Sequence, residues 1–233
     1  MREKLLSFRA ILFLLLQLHG EVIFGLSLAG DLDIVSRQLG YRPTNFVRVS
    51  ARSQEGTPIA IQTYPLDGGA RRRQSKARRS IEKDSEWLGT PFPTLYWLVG
   101  PPELCKAIAD MERQGFVGKI EDEVKQDGEI LHRFRLAHEE YAGERWASLT
   151  KEDRGQLISL SAQSTTVQRM RHMLESSGIA GGNLTLAIPT IKCLHTHYAH
   201  FRSQATSLCS SSTNPVGARI HEILLEEYPD LTL

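Results

Sequence analysis

Between residues 46 and 64, apolar and polar side chains alternate on both sides of Gly56-Thr57-Pro58, with F-V-R-V-S-A-R before the turn and I-A-I-Q-T-Y after it. Period-two alternation sends successive side chains to opposite faces of a strand, and a Gly/Pro turn between two such runs folds one onto the other. The segment therefore predicts an antiparallel hairpin, Phe46 to Arg52 against Ile59 to Tyr64. A third run, G-T-P-F-P-T-L-Y-W-L, is apolar on both faces from Thr94 to Val99, which predicts a central strand running into Gly100-Pro101-Pro102.

The remaining periodicity is helical. Leu32, Val35 and Leu39 predict a short helix from Asp31 to Leu39, stopped by Gly40. Pro102 opens a second, in which Leu104, Ile108 and Met111 recur at helical spacing before Gly115. Further helices are predicted over Gly118 to Asp127, Gly128 to Trp146, Thr150 to Ser176 behind the capping-box-like T-K-E-D, and Ala218 to Glu227 after the Asn214-Pro215 turn. Few strands and many helices imply an α+β fold, a single domain whose small antiparallel sheet carries several helices packed on one face.

Charge narrows the function classes. With 28 Lys+Arg against 27 Asp+Glu, the chain has no global field for nucleic acid or an acidic membrane surface. The basic run Arg71 to Arg79 lies in an insertion at 67–87; it has no aromatic residues between its charges to stack on bases, so a solvated loop is expected, with phosphate binding or a sorting role as the other readings. Three widely spaced cysteines make no disulfide framework. Residues 1–29 have the layout of a signal-like leader, with Arg2, Lys4 and Arg9, then an apolar run, then Ser27 and Ala29 at a small-residue cleavage position. That reading implies secretory or organellar targeting of a domain at 30–233 with no membrane span. An N-terminal anchor or an untranslated extension on a cytoplasmic protein are the alternatives.

The chemistry concentrates in Pro189 to His200, P-T-I-K-C-L-H-T-H-Y-A-H. On a helix with Pro189 in its first turn, at about 100° per residue, Cys193, His197 and His200 stack along one arc. Ile191, Leu194, Tyr198 and Phe201 form an apolar arc beside it, with His195 at its edge. A thiolate and two imidazoles suit zinc or iron(II). Two other readings stand beside it: a buried helix whose histidines bond to backbone, and metal-free acid/base use of the histidines. His138, Tyr141 and Arg145 share one side of the 128–146 helix, where two readings stand: they line the same pocket, closed by a loop ending at Asn214, or they are amphipathic rim residues with their polar ends in water and Asn214-Pro215 is simply a turn.

Taken in order, D-x-x-x-V-x-x-Q-L-G, G-T-P-F-P-T-L-Y-W-L, M-E-R-Q-G, A-H-E-E-Y, K-C-L-H-T-H-Y-A-H and N-P-V-G resemble the DUF501 family, a mainly bacterial family of unknown function, over about Asp31 to Tyr228. The resemblance falls on Pro91, Pro93, Thr94, Leu95, Tyr96, Lys192, Cys193, Leu194, His195, His200, Asn214, Pro215 and Gly217. It also marks departures. Where many relatives carry a Cys-x-Cys pair in the hairpin and a cysteine after the Tyr-rich strand, this chain has Arg52-Ser53-Gln54 and Gly100.

Two function classes follow. In one, a small enzyme, a metal-assisted hydrolase, holds its ion with Cys193, His197 and His200. His195, His138 and Lys192 would then serve as catalytic groups, and Tyr96, Tyr141, Arg145 and Asn214 would contact a small anionic substrate. In the other, the His-rich helix is structural and the chain is a non-catalytic binding or regulatory module for a protein partner. Histidines converging with Tyr96 and His138 favour the first; an exposed apolar patch around Trp97 and Tyr198 favours the second.

Overall fold

The structure, a computed structural model, describes residues 30–66, 89–204, 214–231 and 233; the leader and the basic insertion lie outside them. Helix α1 covers residues 30–39. It is followed by β1 (Phe46–Arg52), β2 (Pro58–Thr63) and β3 (Tyr96–Leu98), which pair antiparallel in the order β1-β2-β3. The hairpin register runs from Phe46 opposite Thr63 to Arg52 opposite Pro58, with irregularities that bend β1. The apolar run at Thr94 to Val99 is therefore not a central strand. Only Tyr96–Leu98 pairs, at the sheet edge, and its lead-in is buried because Leu95 and Tyr96 lie under helices rather than between strands.

Helices α2 (Pro102–Arg113), α3 (Phe116–Gln126), α4 (Gly128–Ser148), α5 (Lys151–Ser161), α6 (Thr165–Ser176), α7 (Leu194–Gln204) and α8 (Pro215–Glu227) follow. Their starts are chemically marked. Asp127 accepts the Glu129 and Ile130 amides, Thr150 that of Asp153, and Ser164 that of Val167. Ser164 also divides the expected Thr150 to Ser176 helix in two, since its side chain caps a new helix start.

The sheet's alternation separates two cores. Ala51, Ala60, Tyr96 and Leu98 face the main cluster, which α2, α3, α4, α7 and α8 enclose; Val49, Ile61, Trp97 and Val99 face Val35 and Leu39 of α1. This is an α+β single domain. Helix α7 packs against all three strands as well as α2 and α8, and Leu194, His197, Tyr198, Ala199 and His200 all have 0% exposure. With most of its residues buried the helix keeps only a narrow part-exposed edge at His195, Phe201 and Arg202, so the two arcs expected for it are not separated by exposure. Among the described residues, no helix is long and apolar enough to cross a membrane.

Candidate functional site

The His-rich segment begins its helix at Leu194 rather than at Pro189. Two carboxylates explain the delay. Glu121 on α3 accepts the Ile191 amide at 2.9 Å, and Glu112 on α2 accepts the Leu194 amide at 2.7 Å, so these backbone donors are satisfied without a preceding helical turn. Glu112 places its charge at the N-terminal end of α7, where the helix dipole favours it. Cys193 is left at the mouth of the helix, half-buried, while His197 and His200 continue into the core.

Glu112, Cys193 and His195 offer ligand atoms that all lie within 4.8 Å of one another, and among the described residues no other trio of His, Cys, Asp or Glu does so. His195 Nδ1 is 3.2 Å from Glu112 Oε1 and 3.9 Å from Cys193 Sγ. Its Nε2 donates to the Cys105 carbonyl at 3.1 Å. A carbonyl holding one ring N–H and leaving the other nitrogen toward a thiolate and a carboxylate is the outer-shell arrangement of a metal-binding imidazole. The trio fits a divalent ion chemically, and it is reachable, since the His195 and Glu112 side chains are 28% and 30% exposed.

Without an ion the same groups form a charge relay at rest. Burial alone would lower the His195 pKa, but Cys193 and Glu112 overcome it and raise it to about 9. Burial opposes the Cys193 thiolate too; hydrogen bonds from His195 and Thr196 outweigh it and bring the thiol pKa down.

The other expected residues gather elsewhere. His138, His197 and His200 converge in the core: the His138 and His197 rings are 5.5 Å apart, Tyr96 stacks on His200 at 5.7 Å, and Tyr141 meets His200 edge-on at 5.1 Å. Asn214 Nδ2 lies 3.3 Å from Nδ1 of both His197 and His200. Asn214 Oδ1 is held by the Val216 and Gly217 amides at the start of α8, so Nδ2 must be the group turned to the histidines. The structure does not bring together the expected Cys193, His197, His200 set, since Cys193 lies half-buried at the mouth of α7 with Glu112 and His195 while His197 and His200 lie in the core.

Tyr141 and Arg145 are structural rather than substrate-facing. The Tyr141 hydroxyl accepts the Leu95 amide at 2.6 Å, tying α4 to the lead-in of β3. Arg145, with 0% exposure, donates to the carbonyls of Leu174, Pro93, Met173 and Ser177. Four of its five N–H donors are thus engaged by backbone carbonyls, three of them at the C-terminal end of α6. The Tyr96 hydroxyl donates to Glu144, and burial is the main reason its pKa lies well above the ordinary tyrosine value. Lys192 donates to the Gly181 carbonyl at 2.8 Å from an exposed position next to Cys193.

The departures from the family pattern also have a place. Arg202, near the end of α7, donates to the Arg52 carbonyl, and Ser53 and Pro101 line one shared depression.

A family model for proteins of unknown function, DUF501, matches residues 49–222. The chain belongs to the DUF501 family. That span runs from within β1 into α8, so most of the hairpin, the Glu112, Cys193, His195 trio and the buried histidines fall within the DUF501 match. No curated protein and no solved structure matched the chain. Glu112 and Glu121 were invisible to sequence reasoning, because each lies on a helix rich in charged residues and nothing local distinguishes it from its solvated neighbours.

Proposed function

We propose that this DUF501 protein is a small metal-assisted hydrolase, and that its zinc or iron(II) is held by Glu112, Cys193 and His195 at the entrance to α7. The observation that carries the reading is the convergence of three unlike donors, one imidazole, one thiolate and one carboxylate, within 4.8 Å at a part-exposed position. Three protein ligands with remaining positions open to solvent is the pattern of catalytic rather than structural sites. When bound, such an ion lowers the pKa of a water and polarises a carbonyl or phosphoryl oxygen.

The chain's own groups serve that site in distinct ways. Cys105 holds the ring of His195 by its carbonyl, and Glu112 is fixed by the Leu194 amide, so both ligands are oriented before an ion arrives. Lys192, beside Cys193 in sequence and solvent-exposed, is the cation placed to meet an anionic substrate group once it leaves the Gly181 carbonyl.

The test is elemental analysis of the full chain purified without chelators, beside Cys193→Ser, His195→Ala and Glu112→Gln variants shown to be folded by circular dichroism. About one equivalent of zinc or iron in the parent, lost in all three variants, supports the site and calls for assays on phosphate esters and amides. A metal-free parent that gains no ion on incubation with zinc or iron(II) overturns it and leaves the binding module as the surviving reading.

A further inference from the structure

At the C-terminal end of α7, the hairpin turn, α8 and the residues after it line a cavity of about 700 Å³, within the size range of small-molecule sites. One side is apolar. Phe201, Leu225, Leu231 and Leu233 line it, and the His221 ring lies 5.6 Å from that of Phe201 and stacks on Tyr198 at 6.0 Å. Burial, with Arg202 beside it, lowers the His221 pKa below the ordinary 6.5, so at pH 7 this ring adds surface and not charge.

Arg202 supplies the charge. It donates to the Tyr198 hydroxyl at 3.1 Å and to the Arg52 carbonyl at 3.3 Å, two neutral acceptors, which leaves three of the five guanidinium N–H groups. No carboxylate pairs with it among the described residues. The neighbouring Arg52 differs, since Asp31 neutralises it at 2.6 Å. Across the cavity stands Glu55 of the hairpin turn, which also lines an adjoining depression with Glu103 and Asp230. The cavity therefore has one uncompensated cation at the α7 end and carboxylates at the other, a field that accepts one negative charge and repels a second.

We infer that this cavity binds a small organic monocarboxylate with an apolar body. Its carboxylate takes the remaining N–H groups of Arg202, whose planar fork matches two oxygens, and its body lies on Phe201, His221 and Leu225. Phosphate and dicarboxylates are disfavoured by Glu55. The site is separate from the Glu112, Cys193, His195 trio at the other end of the same helix and does not depend on it.

The test is isothermal titration of the full chain with 3-phenylpropionate as the probe, beside 3-phenylpropanol and inorganic phosphate. The acid should bind saturably at one site, at least about tenfold more tightly than the alcohol, with no displacement by phosphate. Leu225 is 57% exposed, so Leu225→Glu and Leu225→Lys remove the same apolar surface without disturbing the core. The Glu variant should bind the acid at least about fivefold more weakly than the Lys variant, a difference that loss of packing alone would not produce. Arg202→Gln, shown to be folded by circular dichroism, should bind the acid no better than the alcohol. Absence of saturable binding to the parent, equal affinity in the two Leu225 variants, unchanged affinity in Arg202→Gln, or displacement by equimolar phosphate overturns the inference.

Discussion

The Asn214 side chain joins two helices, its Nδ2 3.3 Å from His200 Nδ1 and its Oδ1 3.2 Å from the Val216 amide that opens α8. One residue thus caps α8 and ties it to the buried histidine turn of α7. Asn214→Ala should cost about 2–3 kcal/mol in urea denaturation, from a lost N-cap together with newly unpaired buried groups. Asn214→Asp, which still caps, should cost visibly less, and equal losses would mean that the cap contributes nothing.

Arg145 binds four backbone carbonyls with no exposed surface, and burial is what lowers its pKa to about 10. Arg145→Met should destabilise the fold by roughly 3 kcal/mol or more, because the buried Leu174 carbonyl loses its donor and the link between α4 and the end of α6 is broken. Arg145→Lys should recover only part of this, since an ammonium cannot reproduce the guanidinium fork. A chemical denaturation midpoint unchanged in Arg145→Met would refute the strut role.

Acid sensitivity follows from His138 and His200. Burial lowers their pKa values to about 4 and about 3, against an ordinary 6.5. Between those limits the unfolded chain binds the protons that the folded chain refuses, so stability falls as pH drops through about 6.5 and the loss levels off below the folded values. Between pH 7.5 and 5.5, before most carboxylates titrate, the two groups together should remove about 2–3 kcal/mol. The check is a pair of urea titrations on the parent and on His200→Gln; the variant's stability should depend less on pH, and identical pH dependence in the two proteins would contradict the assignment.

Gly217 sets how closely α7 and α8 approach. A Cβ there would meet Phe201 Cβ at 2.3 Å and the His197 carbonyl at 2.6 Å, so Gly217→Ala should cost about 1–3 kcal/mol by forcing the helices apart. Gly118 in α3 has nothing within 4 Å of the same position. Gly118→Ala should therefore stabilise by about 0.5–1 kcal/mol through helix propensity alone, and thermal melts of the two variants moving in the same direction would defeat the comparison.

Much of the fold was readable from local chemistry. The hairpin from Phe46 to Thr63, the Pro102 helix start and the Thr150 cap each depend on residues a few positions apart, and each formed where period and capping placed it. The errors came where neighbours distant in sequence supplied the missing partner. Pro189 stayed outside α7 because Glu112 and Glu121 took the backbone donors that a helical turn would have used. The apolar run at Leu95 became an edge because α4 supplied Tyr141 as the acceptor for its amide.

The candidate site divides in the same way. The sequence by itself determined which groups are available, one cysteine and three histidines within Cys193 to His200, and that they lie at the start of a helix or within it. Only the tertiary structure decided which of them meet. His195 turned outward to Cys193 and Glu112, while His197 and His200 turned inward to His138 and Asn214. The physical reason is that α7 packs against the sheet, α2 and α8 at once, so each side chain's surroundings are set by whichever element packs against it and not by the helix's own periodicity.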